Sequence, residues 1–205
     1  MKPVRILILV TSLGVLLGIL YPFLITDDEA RYQKEMQTIR TDRDEYMRNG
    51  KDSPFAGTSA PFTGLQYFPV SAGYRIQADL EIIQPRETRS LPTSDGKSRT
   101  FLTYGWARFD LGGRNHSLLI LENLDGGPDR GKLFLAFTDE TSAGESYGGG
   151  RYLDVNKVAG ATSLLLDFNR AYNPYCAYNN SFSCPFPPPE NHLSVQVNAG
   201  EKNYH

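Results

Sequence analysis

The sequence predicts an all-β domain, an antiparallel sandwich or barrel of about seven strands, preceded by a transmembrane helix and one amphipathic helix. Three observations predict it. Residues 6–25 form an uncharged apolar run. Beyond residue 50, short runs of alternating apolar and polar residues are separated by turn-forming clusters. Strand does not alternate with helix, which argues against a parallel α/β sheet. The expected segments are 1–25 for a cytoplasmic tip and transmembrane anchor, 26–50 for the amphipathic helix and 51–205 for an all-β extracytoplasmic domain.

The anchor is read from Ile6–Ile25, ILILVTSLGVLLGILYPFLI. At ~1.5 Å rise per residue such a run matches the ~30 Å hydrocarbon core of a bilayer. Lys2 and Arg5 precede it and Asp27, Asp28 and Glu29 follow it, which places the N-terminus in the cytoplasm and the rest across the membrane. A cleaved signal peptide is the alternative, but the exit PFLITDDEA offers no small-residue cleavage pattern. Past residue 25, 19 basic residues face 23 acidic ones, with no basic run. That balance argues against a nucleic-acid partner.

The helix is read from TDDEARYQKEMQTIRTDRDEYMRNG. Thr26 with Glu29 fits a capping box, and three acids occupy the first turn, where the helix dipole favours them. Tyr32, Met36, Ile39, Tyr46 and Met47 share one face, and Asn49-Gly50 supplies the stop.

The strands expected are 64–70, 74–83, 99–110, 116–124, 132–138, 163–168 and 193–197. Residues 75–82, RIQADLEI, alternate almost strictly, so one face is buried and one is wet. Ser71-Ala72-Gly73, residues 111–115 (LGGRN) and residues 125–129 (DGGPD) read as turns.

From Asp139 onward the chain becomes irregular and rich in Gly, Tyr, Asn and Pro. Four segments there carry a resemblance: SYGGGRYLD (146–154), DFNRAYNPYCAYN (167–179), CPFPPPEN (184–191) and AGEKNY (199–204). With DSPF at 52–55 and Phe62–Pro69, they resemble an uncharacterised bacterial domain-of-unknown-function family, number 1684, over residues 30–204. Ser146 stands where the family pattern has threonine. The family has no established activity, so the resemblance implies a single domain and a shared site region.

The three glycines 148–150 match no standard phosphate loop. No Lys-Ser or Lys-Thr follows, and residues 151–155 open no helix. Glycine tolerates positive φ and close backbone approach, so the triplet reads as a tight turn aiming Arg151 at Asp167 or Glu190. Gly144–Gly148 formally fits G-x-S-x-G, with Asp167 and His192 following, but in an all-β context rather than a strand-to-helix elbow. Cys176 and Cys184 are the only cysteines. An exported chain with an even cysteine count suggests a disulfide, with free thiols as the alternative. Neither cysteines nor histidines show metal-ligand spacing, so no metal and no cofactor is expected.

The candidate site is the polar set Glu145, Arg151, Asp154, Asp167, Asn169, Asn173, Glu190, Asn191 and Glu201, interleaved with Tyr147, Tyr152, Tyr172 and Tyr175. Carboxylates and amides beside aromatic rings suit a small polar or carbohydrate ligand. The competing reading is structural: Asn and Asp routinely brace long loops. The expected function is therefore a membrane-anchored ligand-binding or accessory module of the cell envelope. The alternative is a small hydrolase using Glu/Asp acid–base chemistry.

Overall fold

The alternating run at 75–82 is strand β1, Arg75–Ile82, in the computed structural model, which describes residues 28–58 and 61–205. Ile76, Ala78 and Leu80 turn inward, while Gln77, Asp79 and Glu81 face solvent. The strands that follow are β2 (Thr88–Pro92), β3 (Ser98–Leu111), β4 (Arg114–Asn123), β5 (Leu133–Phe134), β6 (Ala136–Asp139), β7 (Arg151–Tyr152), β8 (Ser163–Asp167) and β9 (His192–Leu193). They form two sheets. One has the order β5-β4-β3-β1-β8, with β2 also paired to β3, and the other has the order β7-β6-β9. The β6–β9 pairing is parallel and the remaining pairings are antiparallel.

The β3–β4 hairpin anchors the larger sheet. Leu111 pairs with Arg114 across Gly112 and Gly113, whose φ values of 63° and 73° are those of a type I′ turn. That turn matches strand twist, which explains why a double glycine sits there. Farther along, the β3–β4 register steps from Thr103↔Leu121 to Gly105↔Ile120, leaving Tyr104 as the extra residue of a bulge. The step changes which residues of β3 face which side. Phe101 packs with Leu119, Leu121 and Leu91, whereas Ala107 and Phe109 pack with Leu118 and Ile120. Both faces of β4 are covered, as its unbroken Leu118–Leu121 run requires. The main core also takes Phe137 from β6 and Leu193 from β9, so the two sheets share it. This is a layered arrangement and not a barrel.

Several expected strands differ. Residues 64–70 make only an isolated bridge, Tyr67↔Glu201. Gly64 has φ 100° and Pro69 has no N–H, so the segment is tied by single bonds, such as the Phe68 N–H donating to Gly200 O at 2.9 Å. The expected run 132–138 splits at Leu135 between the two sheets, and 193–197 is strand only at its start. β2 and β7 were not expected.

The chain divides into two compact units between Asp42 and Arg43. In the first, residues 28–42 are helical, with Tyr32 and Met36 buried. In the second, residues 43–49 are helical with Met47 buried, and the Gly50 N–H donates to Tyr46 O at 2.7 Å where the helix stops.

The expected transmembrane helix is corrected. Among the described residues no helix is long and apolar enough to cross a membrane. The helical residues 28–42 and 43–49 carry charges on each turn, among them Arg31, Glu35 and Arg40 in the first and Asp44 in the second. The span assigned to the anchor, Ile6–Ile25, lies outside the described residues. The expected location beyond a membrane rested on that span, and no helix among the described residues supports it.

Candidate functional site

Arg151 opens β7 and is the largest fully buried side chain among the described residues. Gly150 delivers it there. Its φ is 85°, and a Cβ at this position would lie 2.5 Å from Pro187 Cγ and 2.7 Å from Phe137 O. The turn is tight and overlaid by chain, as the triplet predicts. The partner is different from the expected one. Arg151 Nη2 donates to Asp139 Oδ2 at 2.7 Å, not to Asp167 or Glu190. Nη2 also donates to Val197 O at 3.0 Å, and Nη1 donates to Ala199 O and to Glu201 O. The guanidinium lies over the Phe137 ring, 5.3 Å from its centroid. Burial pulls the guanidinium pKa down and Asp139 pushes it back up. Asp139 Oδ1 accepts from the Thr141 N–H and hydroxyl and from the Val197 N–H. Arg151 and Asp139 therefore staple the 197–201 segment onto β6.

The remaining polar residues do similar work. The Asp167 carboxylate accepts from the Asn169 N–H at 3.2 Å. Asn169 grips Ser71 through both its N–H and its carbonyl. The Asn191 amide accepts from the Leu119 N–H at 2.6 Å and donates to Leu119 O and Ala136 O, joining β4 to β6. Asn173 donates to Glu201 Oε1 at 2.9 Å and to Lys202 O at 2.8 Å. Glu201 is buried, accepts from the Tyr178 hydroxyl and faces Arg43 Nε at 3.5 Å. Burial pushes its carboxyl pKa up, against the pull of Arg43 and these donors. Buried loop backbone must find partners, and these amides and carboxylates provide them.

Three candidates lie nearer the surface. Glu145 pairs with Lys202 at 3.2 Å, Glu190 pairs with Arg89, and the Tyr175 hydroxyl donates to that of Tyr46 at 2.9 Å. Ser146 is fully buried with its hydroxyl 2.8 Å from that of Thr141, whereas the exposed His192 ring bridges Thr138 and Glu140. No hydrolase triad is assembled from Ser146, Asp167 and His192.

The expected disulfide is also corrected. Cys176 and Cys184 are both free and buried. The Cys176 N–H donates to Cys184 Sγ at 3.2 Å, and the Tyr147 hydroxyl lies 3.9 Å from Cys176 Sγ, so hydrogen bonds hold the sulfurs instead. The bond to the Cys184 thiol is the main cause that brings Cys176 down to about 6. Burial and the neighbouring sulfurs push the Tyr147 hydroxyl up to about 12.

Tyr152, Asp154 and Tyr172, the remaining candidates, lead to a groove of about 880 Å³. Tyr152, Asp154, Tyr172 and Pro185 line it together with residues 128–134. The Phe134 ring meets Tyr152 edge to face at 5.0 Å, and Tyr152 meets Tyr172 likewise at 6.0 Å. The Tyr152 hydroxyl donates to Pro185 O at 2.6 Å and the Tyr172 hydroxyl to Asp154 at 2.9 Å, which orients both rings. Burial raises both tyrosine pKa values, so the rings stay neutral. Arg99, Arg130, Lys132 and Lys157 add cations. Sequence reasoning missed these four and Phe134. For Arg130 and Lys132 the signal available was residues 125–132, DGGPDRGK, whose charges exceed what a plain turn needs.

The fold and these braces define a two-sheet β domain in which a loop-rich C-terminal third is locked by buried polar groups beside an aromatic-lined groove. The chain belongs to the family described as "Protein of unknown function (DUF1684)", whose model matches residues 60–202. It is also similar to the uncharacterized protein from gene locus rrnAC0354 of Haloarcula marismortui, solved by solution NMR. The two share 33% identity and a TM-score of 0.64 over 86% of this chain and 96% of that one. Among curated proteins, none matches this chain.

Proposed function

We propose that this domain is a ligand-binding module for small polar molecules, with its site in the groove lined by residues from 128–134 and 152–157. One observation carries the reading. Residues from three of the segments that carry the family resemblance, Tyr152 with Asp154, Tyr172 and Pro185, line this one groove. The buried Asn173 and Asn191 amides of the same segments are consumed in hydrogen bonds that brace the fold. Apolar rings with a few placed polar groups are the usual makeup of a small-molecule site. Acid–base hydrolysis is less favoured. The fully buried carboxylates Asp139 and Glu201 already accept bonds from neighbouring donors, so neither is poised to move a substrate's proton.

The test is a ligand-observed NMR screen of the full chain against amino acids, organic acids, nucleosides and sugars. Hits should weaken when the exposed groove residues Arg130 and Lys132 are both replaced by alanine. Absence of any hit, or hits indifferent to those substitutions, contradicts the proposal.

A further inference from the structure

We infer that the groove takes a neutral saccharide chain rather than an anion, an inference that rests on the ligand-binding reading above. The charge distribution on its walls carries the argument. Three of the lining cations already hold carboxylates. Arg99 Nε lies 2.8 Å from Asp125, Lys132 Nζ lies 2.8 Å from Asp129, and Lys157 pairs with Glu122. Asp154 places a further carboxylate in the wall. A phosphate or carboxylate ligand would have to break these pairs and approach Asp154, gaining Arg130 in exchange.

A sugar hydroxyl faces no such conflict. It donates and accepts at once, so it can bridge the cation and the carboxylate of one pair without disturbing the balance. The Arg99–Asp125 and Lys132–Asp129 pairs are solvent-exposed and individually weak, so their polar atoms remain available to a ligand. The three rings of Phe134, Tyr152 and Tyr172 follow one another edge to face. Phe101 stacks on one face of Phe134 at 4.8 Å and the Arg43 guanidinium lies over Tyr172 at 4.5 Å, so each of these two rings keeps at most one face for the C–H face of a sugar. The volume of about 880 Å³ falls at the upper end of the usual range for small-molecule sites, ~300–1,000 Å³, which leaves room for more than one sugar ring.

The experiment is a backbone-amide NMR titration of the full chain with neutral maltohexaose, cellohexaose, xylohexaose and chitohexaose, alongside inorganic phosphate and an oligogalacturonate. At least one neutral oligomer should shift the amides of Lys132, Tyr152, Asp154 and Asn156, with an affinity that holds from low salt to about 0.5 M NaCl. The charge-neutral double variant Lys132→Ala/Asp129→Ala removes one donor–acceptor pair from an exposed position. It should weaken that binding about tenfold without changing thermal unfolding. If only the anions shift these amides, in a salt-sensitive way lost in Arg130→Ala, the saccharide inference is overturned while the groove stands as a binding site. If no probe shifts them, the saccharide inference is overturned, and the ligand-binding reading is judged by the wider screen above.

Discussion

Arg151 Nη2 and Asp139 Oδ2 lie 2.7 Å apart, and neither side chain exposes more than 1% of its surface. Removing one partner of such a pair leaves a buried charge without compensation, at ~3–5 kcal/mol. Asp139→Asn should cost that much in urea denaturation. Arg151→Lys should cost ~2 kcal/mol or more, because an ammonium cannot reach Asp139 and three carbonyls from one planar head. A loss under ~1 kcal/mol for Asp139→Asn would show that the pair does not hold the 197–201 segment.

Gly150→Ala should be the costliest alanine substitution in the glycine triplet, at more than ~1 kcal/mol. It combines a positive φ with contacts to Pro187 Cγ and the Phe137 carbonyl that a Cβ would violate. Gly148 has ordinary φ, and the atom nearest to an added Cβ would be Ala143 Cβ, at 3.2 Å. Gly149 would press on the Tyr147 ring, which can turn aside. Equal losses at Gly148 and Gly150 in thermal melts would contradict this ordering.

Glu201 predicts a pH dependence. Its folded pKa lies above the ordinary 4.5, so the folded state holds the proton more tightly than the unfolded state does. Its contribution to stability is therefore fullest below pH 4.5 and declines as pH rises towards the folded pKa. Glu201→Gln carries no such titration. The variant's stability should gain on the wild type's as pH rises through that window, in paired denaturation curves. A constant gap between about pH 4 and pH 8 rules the linkage out.

Much of the fold was legible where local pattern and burial agree. The alternation of β1, the Gly112-Gly113 turn and the apolar run of β4 each announce themselves within a few residues. β2 was not legible, because TRSLP holds one buried residue, Leu91, and ends in proline. β7 is two residues long and exists because Gly150 turns the chain against β6. The polar set of the last third was legible, but not its roles. Asp139 sits outside that set, and its meeting with Arg151 depends on the β6–β7 pairing. Likewise Arg99, Phe134 and Lys157 come together only through sheet register and loop return, which no local spacing encodes.

The cysteines should behave as two free thiols. Both should be alkylated in denaturant without reductant. In the folded chain, thiolate absorbance should titrate with a midpoint near about 6, from Cys176. Cys184→Ala removes the hydrogen bond that is the main cause of this lowering, so the midpoint should rise. A Cys176–Cys184 peptide surviving as a linked species would contradict the observed arrangement.

The separation of site from scaffold is tested most directly by mapping amide chemical shifts of the full chain against the same panel of small polar compounds. The shifts should cluster at Lys132, Tyr152, Asp154 and Asn156, around the groove, and leave Asn169, Asn173 and Asn191 unmoved. Shifts centred on those three asparagines, with the groove silent, would mean that the buried network is itself the site and that its bracing role has been misassigned.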